Sequence, residues 1–184
     1  MAYTIGLDYG TNSVRCLIVD VTNGDELGIV VHEYETGEAG IILDPHDHNL
    51  ARQNPADYLK GIEVAIKEAI AEAKNADKDF DANQIIGIGI DTTGSTPMPV
   101  DENGTPLSTF DKFKDNPNAC AWLWKDHTGY AEAAEITELA KKEHPEYLAK
   151  CGQTYSSEWF FSKIFHCLRI APEVFHAAYS WVEC

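Results

Sequence analysis

No stretch of the chain approaches the roughly 20 consecutive apolar residues that a membrane-spanning helix needs. The first residues also lack the charged-then-apolar pattern of a secretion signal. Positive charge is scarce: 14 lysines and arginines face 30 aspartates and glutamates, for a net charge of −16. No Lys/Arg cluster gathers those cations, so a nucleic-acid backbone or an anionic membrane would be repelled rather than bound. Cysteines are few and odd in number, at positions 16, 120, 151, 167 and 184, and no two form a C-x-x-C pair. That argues against a zinc knuckle or a disulfide framework, and for reduced thiols in a cytoplasmic protein. Cys120, Cys151 and Cys167 read as packing residues. G-x-G-x-x-G and Walker loops are missing, as are internal repeats and low-complexity linkers. What remains is an ordinary composition, 44% hydrophobic and 24% charged over 184 residues. It suits one globular domain, or one plus part of another.

Tyr3, Ile5 and Leu7 alternate with Thr4, Gly6 and Asp8, the period of two of a strand. Val14 to Val21 is a second strand, apolar enough to predict cover on both faces. Asn23-Gly24-Asp25 signals a tight hairpin into a third strand, Leu27 to Tyr34. Three strands joined by two short turns predict an antiparallel meander. Residues 35–53 are polar and read as irregular. Asn54-Pro55 opens a helix, with Asn as cap and Pro at the first helical position. Its stripe of Tyr58, Leu59, Ile62, Ile66, Ala69, Ile70 and Ala73 is predicted to face the core.

Ile86, Ile88 and Ile90 share one side of a fourth strand, and Gly87, Gly89 and Asp91 the other. Two glycines on one side let a helix or a ligand approach the backbone closely. Pro97 and Pro99 allow only an edge strand over 96–101, or none. Helices are predicted over 130–142 and 158–169, parted by His144-Pro145. The pattern is an α/β fold.

The segment Asp8-Tyr9-Gly10-Thr11-Asn12-Ser13-Val14-Arg15 carries the most chemistry. A strand delivers Asp8 at its carboxyl end, glycine permits a sharp turn, and small hydroxyl and amide side chains follow. Such a turn can hold phosphate oxygens on backbone N–H and hydroxyl donors. A carboxylate beside it can reach a phosphate-bound Mg2+, and Arg15 can add charge to a transferring phosphoryl group. The plain alternative is a hairpin whose Asp and Asn cap their own backbone. Spacing alone leaves both open.

Strand–Asp8-x-Gly10-Thr11-x-Ser13-x-Arg15–strand resembles the phosphate loop of the FGGY carbohydrate kinases, within the actin/hexokinase/Hsp70-like ATPase superfamily. Gln53-Asn54-Pro55-Ala56-Asp57-Tyr58 is similar to the opening of that family's first long helix. The stretches Ile88-Gly89-Ile90-Asp91-Thr92-Thr93-Gly94-Ser95-Thr96-Pro97 and Asn118-Ala119-Cys120-Ala121-Trp122-Leu123-Trp124-Lys125-Asp126-His127-Thr128 resemble the members that phosphorylate L-ribulose.

The resemblance spans about Tyr3 to Cys184 and implies a ribonuclease-H-like fold with a mixed sheet that starts from the meander. It implies ATP and Mg2+ as cofactors and a ketopentose, L-ribulose, as substrate. Asp8 would hold Mg2+, Gly10, Thr11, Asn12 and Ser13 would bind phosphates, and Arg15 would assist. Gly94, Ser95 and Thr96 would line the sugar pocket, with Trp124, Lys125 and Asp126 as another wall and Glu158 as a further contact. It also implies that the general base and a second, adenine-binding domain lie beyond residue 184. The chain is therefore expected to be an incomplete amino-terminal kinase domain, not competent alone, with a homodimer as an open partnership. Another family member acting on xylulose or a polyol, or a non-catalytic sugar-binding module, are the alternatives.

Other candidates read as structure. His46-Asp47-His48 lacks a further ligand at useful spacing and reads as a solvated loop. Trp122 and Trp124 are core-like aromatics, Trp124 the more open to a site role. His127 beside Asp126 reads as a hydrogen-bonded residue, and Asp77, Asp79 and Asp81 as a solvated helix end.

Overall fold

The computed structural model describes residues 2–184. In chain order come β1 (Tyr3–Tyr9), β2 (Ser13–Asp20), β3 (Glu26–Glu33), β4 (Ile42–Asp44), β5 (Asp47–Gln53) and α1 (Pro55–Ala76). Then follow β6 (Ile85–Thr92), β7 (Pro97–Val100), β8 (Ala121–Trp122), α2 (Tyr130–Glu143), α3 (Pro145–Leu148), α4 (Phe160–Ile170), α5 (Pro172–Ala177) and β9 (Ser180–Glu183). The chain divides into two compact units, residues 1–40 with 56–93, and residues 41–55 with 94–184.

The first unit is a four-stranded mixed sheet in the order β3-β2-β1-β6 with α1 on one face. The meander is antiparallel, pairing Leu7 with Cys16 and Cys16 with Val30, while β6 runs parallel to β1. Tyr3, Ile5, Leu7, Val14, Cys16, Ile18 and Val30 are buried. The expectation that β2 is covered on both faces fails: Leu17 and Val19 are only half-buried and Arg15 is exposed. The helix covers one side of the sheet and leaves the other open.

The seam between α1 and the sheet keeps Tyr58, Ala69 and Ala73 of the predicted stripe and drops its larger aliphatics. Tyr58, Gly61, Ala65, Ala69 and Ala73 are buried, whereas Ile62, Ile66 and Ile70 are half-buried and Leu59 is exposed. Small residues face the sheet because the two backbones nearly touch. A Cβ on Gly28 would sit 2.3 Å from the Ala69 carbonyl oxygen, and one on Gly61 2.7 Å from Val14 Cγ1. Gly28→Ala is therefore expected to force α1 off the sheet and destabilise the chain by about 1–3 kcal/mol. A urea midpoint unchanged from wild type would contradict that reading.

β6 ends the sheet as an edge strand, with Ile86, Ile88 and Ile90 exposed by 72%, 57% and 63%. These side chains share the helix-covered side with Ile5 and Leu7 through the parallel register, yet α1 does not reach them.

The second unit packs α4 and α5 on Trp122. Its core holds Leu107, Phe113, Ala119, Trp122, Cys167, Ala171 and Val174, and a smaller cluster joins Ile41, Ala51 and Leu123. The segment read as irregular forms the hairpin β4–β5, extended by β8 into a three-stranded sheet. His46 sits at its turn and Asp47 opens β5, and among the described residues no three His, Cys, Asp or Glu side chains group as metal ligands. β7 is an edge strand, as its prolines require, and pairs with β9, a strand the sequence reading did not place. Among the described residues no helix is long and apolar enough to cross a membrane. Cys16, Cys120 and Cys167 are buried and Cys151 half-buried. Burial pushes the Cys16 thiol up to about 11 and the Cys167 thiol up to about 12, so both stay protonated and unreactive.

Candidate active site

Within the first unit, the face opposite α1 carries an open cavity of about 600 Å3. Gly6 and Gly89 lie in it, flanked by Asp8, Arg15, Leu17, Ile29 and Asp91. Register explains this set. Gly6 pairs with Gly89 and Asp8 with Asp91 across β1 and β6, so glycines pave the floor and two carboxylates stand at one end. Asp8 is paired with Arg15 at 2.9 Å, but the pair faces outward, with side-chain exposures of 46% and 62%. The acid is not turned into the protein.

The turn after β1 is tighter than an open nest. The Gly10 N–H donates to the Ser13 carbonyl at 2.8 Å, so that amide closes the turn. Asn12 Nδ2 donates to the Ala39 carbonyl at 2.6 Å, and the Asn12 carbonyl accepts the Tyr34 N–H at 2.9 Å. Asn12 thus anchors the loop to the segment after β3. Thr11 and Ser13 are half-buried beside it. Asp91 is the residue missing from the sequence-predicted set. Its place on the glycine side of β6 was legible; its pairing with Asp8 needed the parallel register.

The second unit holds the remaining predicted residues. Ser95 adopts a left-handed backbone, φ 60°, between exposed Gly94 and buried Thr96. The Thr96 N–H donates to Glu183 Oε2 at 2.7 Å, tying this turn to β9. Trp124 is 40% exposed and Lys125 half-buried. Asp126 has no exposed surface. Its carboxylate takes the Arg52 guanidinium, the Ala51 and Thr128 N–H groups and the Thr128 hydroxyl, so it is engaged wholly within the protein. Arg52 in turn lies 3.4 Å over the Trp122 ring. Burial pulls its pKa down to about 9, which leaves it charged at neutral pH. Glu158 is partly exposed and 3.6 Å from His127 Nε2, while His127 Nδ1 meets Ser157 Oγ at 2.9 Å. Lys163, unassigned from sequence, is fully buried, and its ammonium donates to the Ser95 and Leu123 carbonyls at 2.6 and 2.8 Å. Burial, helped by the Arg52 charge, pulls it down to about 7.

Residues 3–183 match the FGGY family of carbohydrate kinases, N-terminal domain. The chain belongs to that family. As an FGGY chain it is 42% identical over 182 residues to a ribulokinase of Vibrio parahaemolyticus, covering 98% of this chain and 31% of the relative. It is 36% identical over 185 residues to a ribulokinase of Halalkalibacterium halodurans, covering 98% of this chain and 32% of that protein. This FGGY chain therefore spans about a third of the length of the curated relatives it matches. Among solved structures, a Plasmodium falciparum glycerol kinase with ADP aligns with a TM-score of 0.67 at 17% identity, over 96% of this chain and 30% of that one. A ligand-bound xylulose kinase of Lactobacillus acidophilus aligns with a TM-score of 0.65 at 19% identity, over 98% and 31%. At those identities the likeness carries the fold, the actin/hexokinase-like ATPase architecture that the FGGY motifs imply.

Proposed function

We propose that this chain supplies the phosphate-binding and sugar-binding parts of an ATP-dependent kinase that phosphorylates L-ribulose on its 5-hydroxyl. The observation that carries this reading is the glycine-floored cavity with Asp8, Asp91 and Arg15 at its end. Glycine lets a polyanion approach the backbone, and the carboxylate oxygens of Asp8 and Asp91 are the hard donors that Mg2+ prefers. The donor set therefore fits a magnesium ion, with Asp8 as its principal holder. When bound, that ion neutralises charge on the phosphates.

The chain's own residues do the rest by positioning. Arg15, exposed beside Asp8, offers a cation to a transferring phosphoryl group. The hydroxyls of Thr11 and Ser13 offer donors to phosphate oxygens, with Gly10 closing the turn and Asn12 holding the loop in place. In the second unit the Gly94–Thr96 turn, Trp124, Lys125 and Glu158 line the sugar site, and Asp126 backs it. L-Ribulose is favoured over xylulose because the two ribulokinases are 42% and 36% identical to this chain, against 19% for the xylulose kinase.

Calorimetry on this chain tests the reading. Mg·ATP is expected to bind more tightly than ATP in EDTA, and L-ribulose about tenfold more tightly than D-xylulose. Sugar binding that persists with no nucleotide binding at all would mark a sugar-binding module instead, and binding of neither ligand would overturn the proposal.

A further inference from the structure

Lys163 stands in the first turn of α4 with no exposed surface. Its ammonium meets four backbone carbonyls, at 2.6 Å from Ser95, 2.8 Å from Leu123 and 3.4 Å from both Trp122 and Trp124. No carboxylate is among these contacts. A buried charge held on carbonyl oxygens, with Glu183 and Glu158 attracting it only from beyond hydrogen-bond reach, is a poor way to add stability, since an apolar side chain of the same length fills the space without losing hydration. What the ammonium does that an apolar side chain cannot is fasten two separate segments at one point. One is the left-handed turn at Ser95, and the other is the strand end that presents Trp124.

The neighbouring residue repeats the pattern on a third segment. Ser162, also fully buried, has its hydroxyl 2.7 Å from the Trp159 carbonyl and 3.0 Å from that of Ser156, bracketing Glu158. The same helical turn approaches the loop after Asp126 so closely that a Cβ on Gly129 would lie 2.8 Å from the Ser162 carbonyl oxygen. All three segments that carry candidate sugar contacts therefore converge on one turn of α4.

We infer that Lys163 is a positioning residue of the sugar site, its ammonium fixing the spacing between the Gly94–Thr96 turn and the Trp122–Trp124 segment. The inference rests on the sugar-kinase reading for its ligand, and on the carbonyl clamp alone for its geometry. A ketopentose is recognised through several hydroxyls at fixed separations, so a wall that slackens by a fraction of an ångström loses contacts without losing its residues.

The test uses the 184-residue chain with Lys163→Met, which keeps the length and removes the donors, and Lys163→Gln, which keeps two donors on a shorter stem. In Lys163→Met, amide hydrogen exchange at residues 94–96 and 122–126 is expected to quicken about tenfold, with the amides of β1, β2 and α1 unchanged. L-Ribulose affinity is expected to fall about tenfold and Mg·ATP affinity to stay within twofold, with Lys163→Gln between Met and wild type. Unchanged exchange in both segments overturns the inference, as does a uniform rise through the second unit, which would make Lys163 a general stabiliser. Should Lys163→Met not fold, the same measurements on Lys163→Gln decide it. Failure of the wild-type chain to bind any ketopentose strikes the sugar-site reading, and the exchange result still decides whether the clamp exists.

Discussion

Asp8→Ala is expected to weaken Mg·ATP binding by about 10- to 100-fold while leaving L-ribulose affinity within twofold. The magnitude follows from contacts to a charged group, which contribute about 1.5–3 kcal/mol each, and each 1.4 kcal/mol is about tenfold in affinity. The selectivity follows from position. Asp8 lines the cavity of the first unit, and the residues proposed to meet sugar belong to the second. Its partner Arg15 is exposed by 62%, so losing the pair leaves a solvated cation and little change in stability. Asp8→Asn separates charge from shape and should lose nearly as much. Isothermal titration with each ligand, beside a thermal melt, gives the answer. Equal weakening toward nucleotide and sugar, or a melt lowered by many degrees, would make Asp8 a structural residue.

The largest loss of stability is expected from Asp126→Ala. Arg52 and Asp126 are each wholly buried, and the guanidinium bonds that carboxylate while lying over the Trp122 ring. Arg52 Nε already has no hydrogen-bond partner, so there is no slack in its satisfaction. Removing the carboxylate strands a charge in the core and takes acceptors from Ala51 and Thr128. Breaking such a pair from one side costs about 3–5 kcal/mol. At about 2–4 °C per kcal/mol for a chain of this size, the midpoint should fall on the order of 10 °C. Removing both charges together, as Arg52→Met with Asp126→Leu, should recover most of it, because the pair is costly to bury and only half of it is worse. A single-variant loss below about 1 kcal/mol would show that water reaches Arg52.

The parts of the fold legible from sequence were those set by local pattern. The alternation of Tyr3, Ile5 and Leu7, the Asn23-Gly24 turn and the Asn54-Pro55 helix start each act within a few residues, and the structure has all three. What escaped depends on partners far along the chain. β9 is four residues long and exists by pairing with β7 more than 80 positions earlier. The β4–β5 hairpin looked irregular because its outward positions carry His48 and Asn49. The buried seam of α1 was read in part: Tyr58, Ala69 and Ala73 belong to it as predicted, while Gly61 and Ala65 went unread and Leu59 and the isoleucines were taken for core. Close approach at Gly28 and Gly61 selects small residues and leaves the isoleucines as flanks.

The candidate site divides in the same way. Asp8, Gly10 and Arg15 announce themselves by order along one loop. Asp91 becomes a site residue only once β6 lies parallel to β1, and Lys163 reads in sequence as one more surface cation on a helix. Its burial is a property of two distant segments, at Ser95 and at Trp122–Trp124, and no local pattern contains it.

The bare rim of β6 has a practical side. Three isoleucines on an open strand edge favour adhesion between copies, and what holds copies apart is mutual repulsion from a net charge of −16. The range of that repulsion shrinks to about 10 Å at 0.1 M salt, while adhesion of aliphatic side chains is untouched by it. Dilute buffers should keep this polypeptide dispersed, and brine should make it clump.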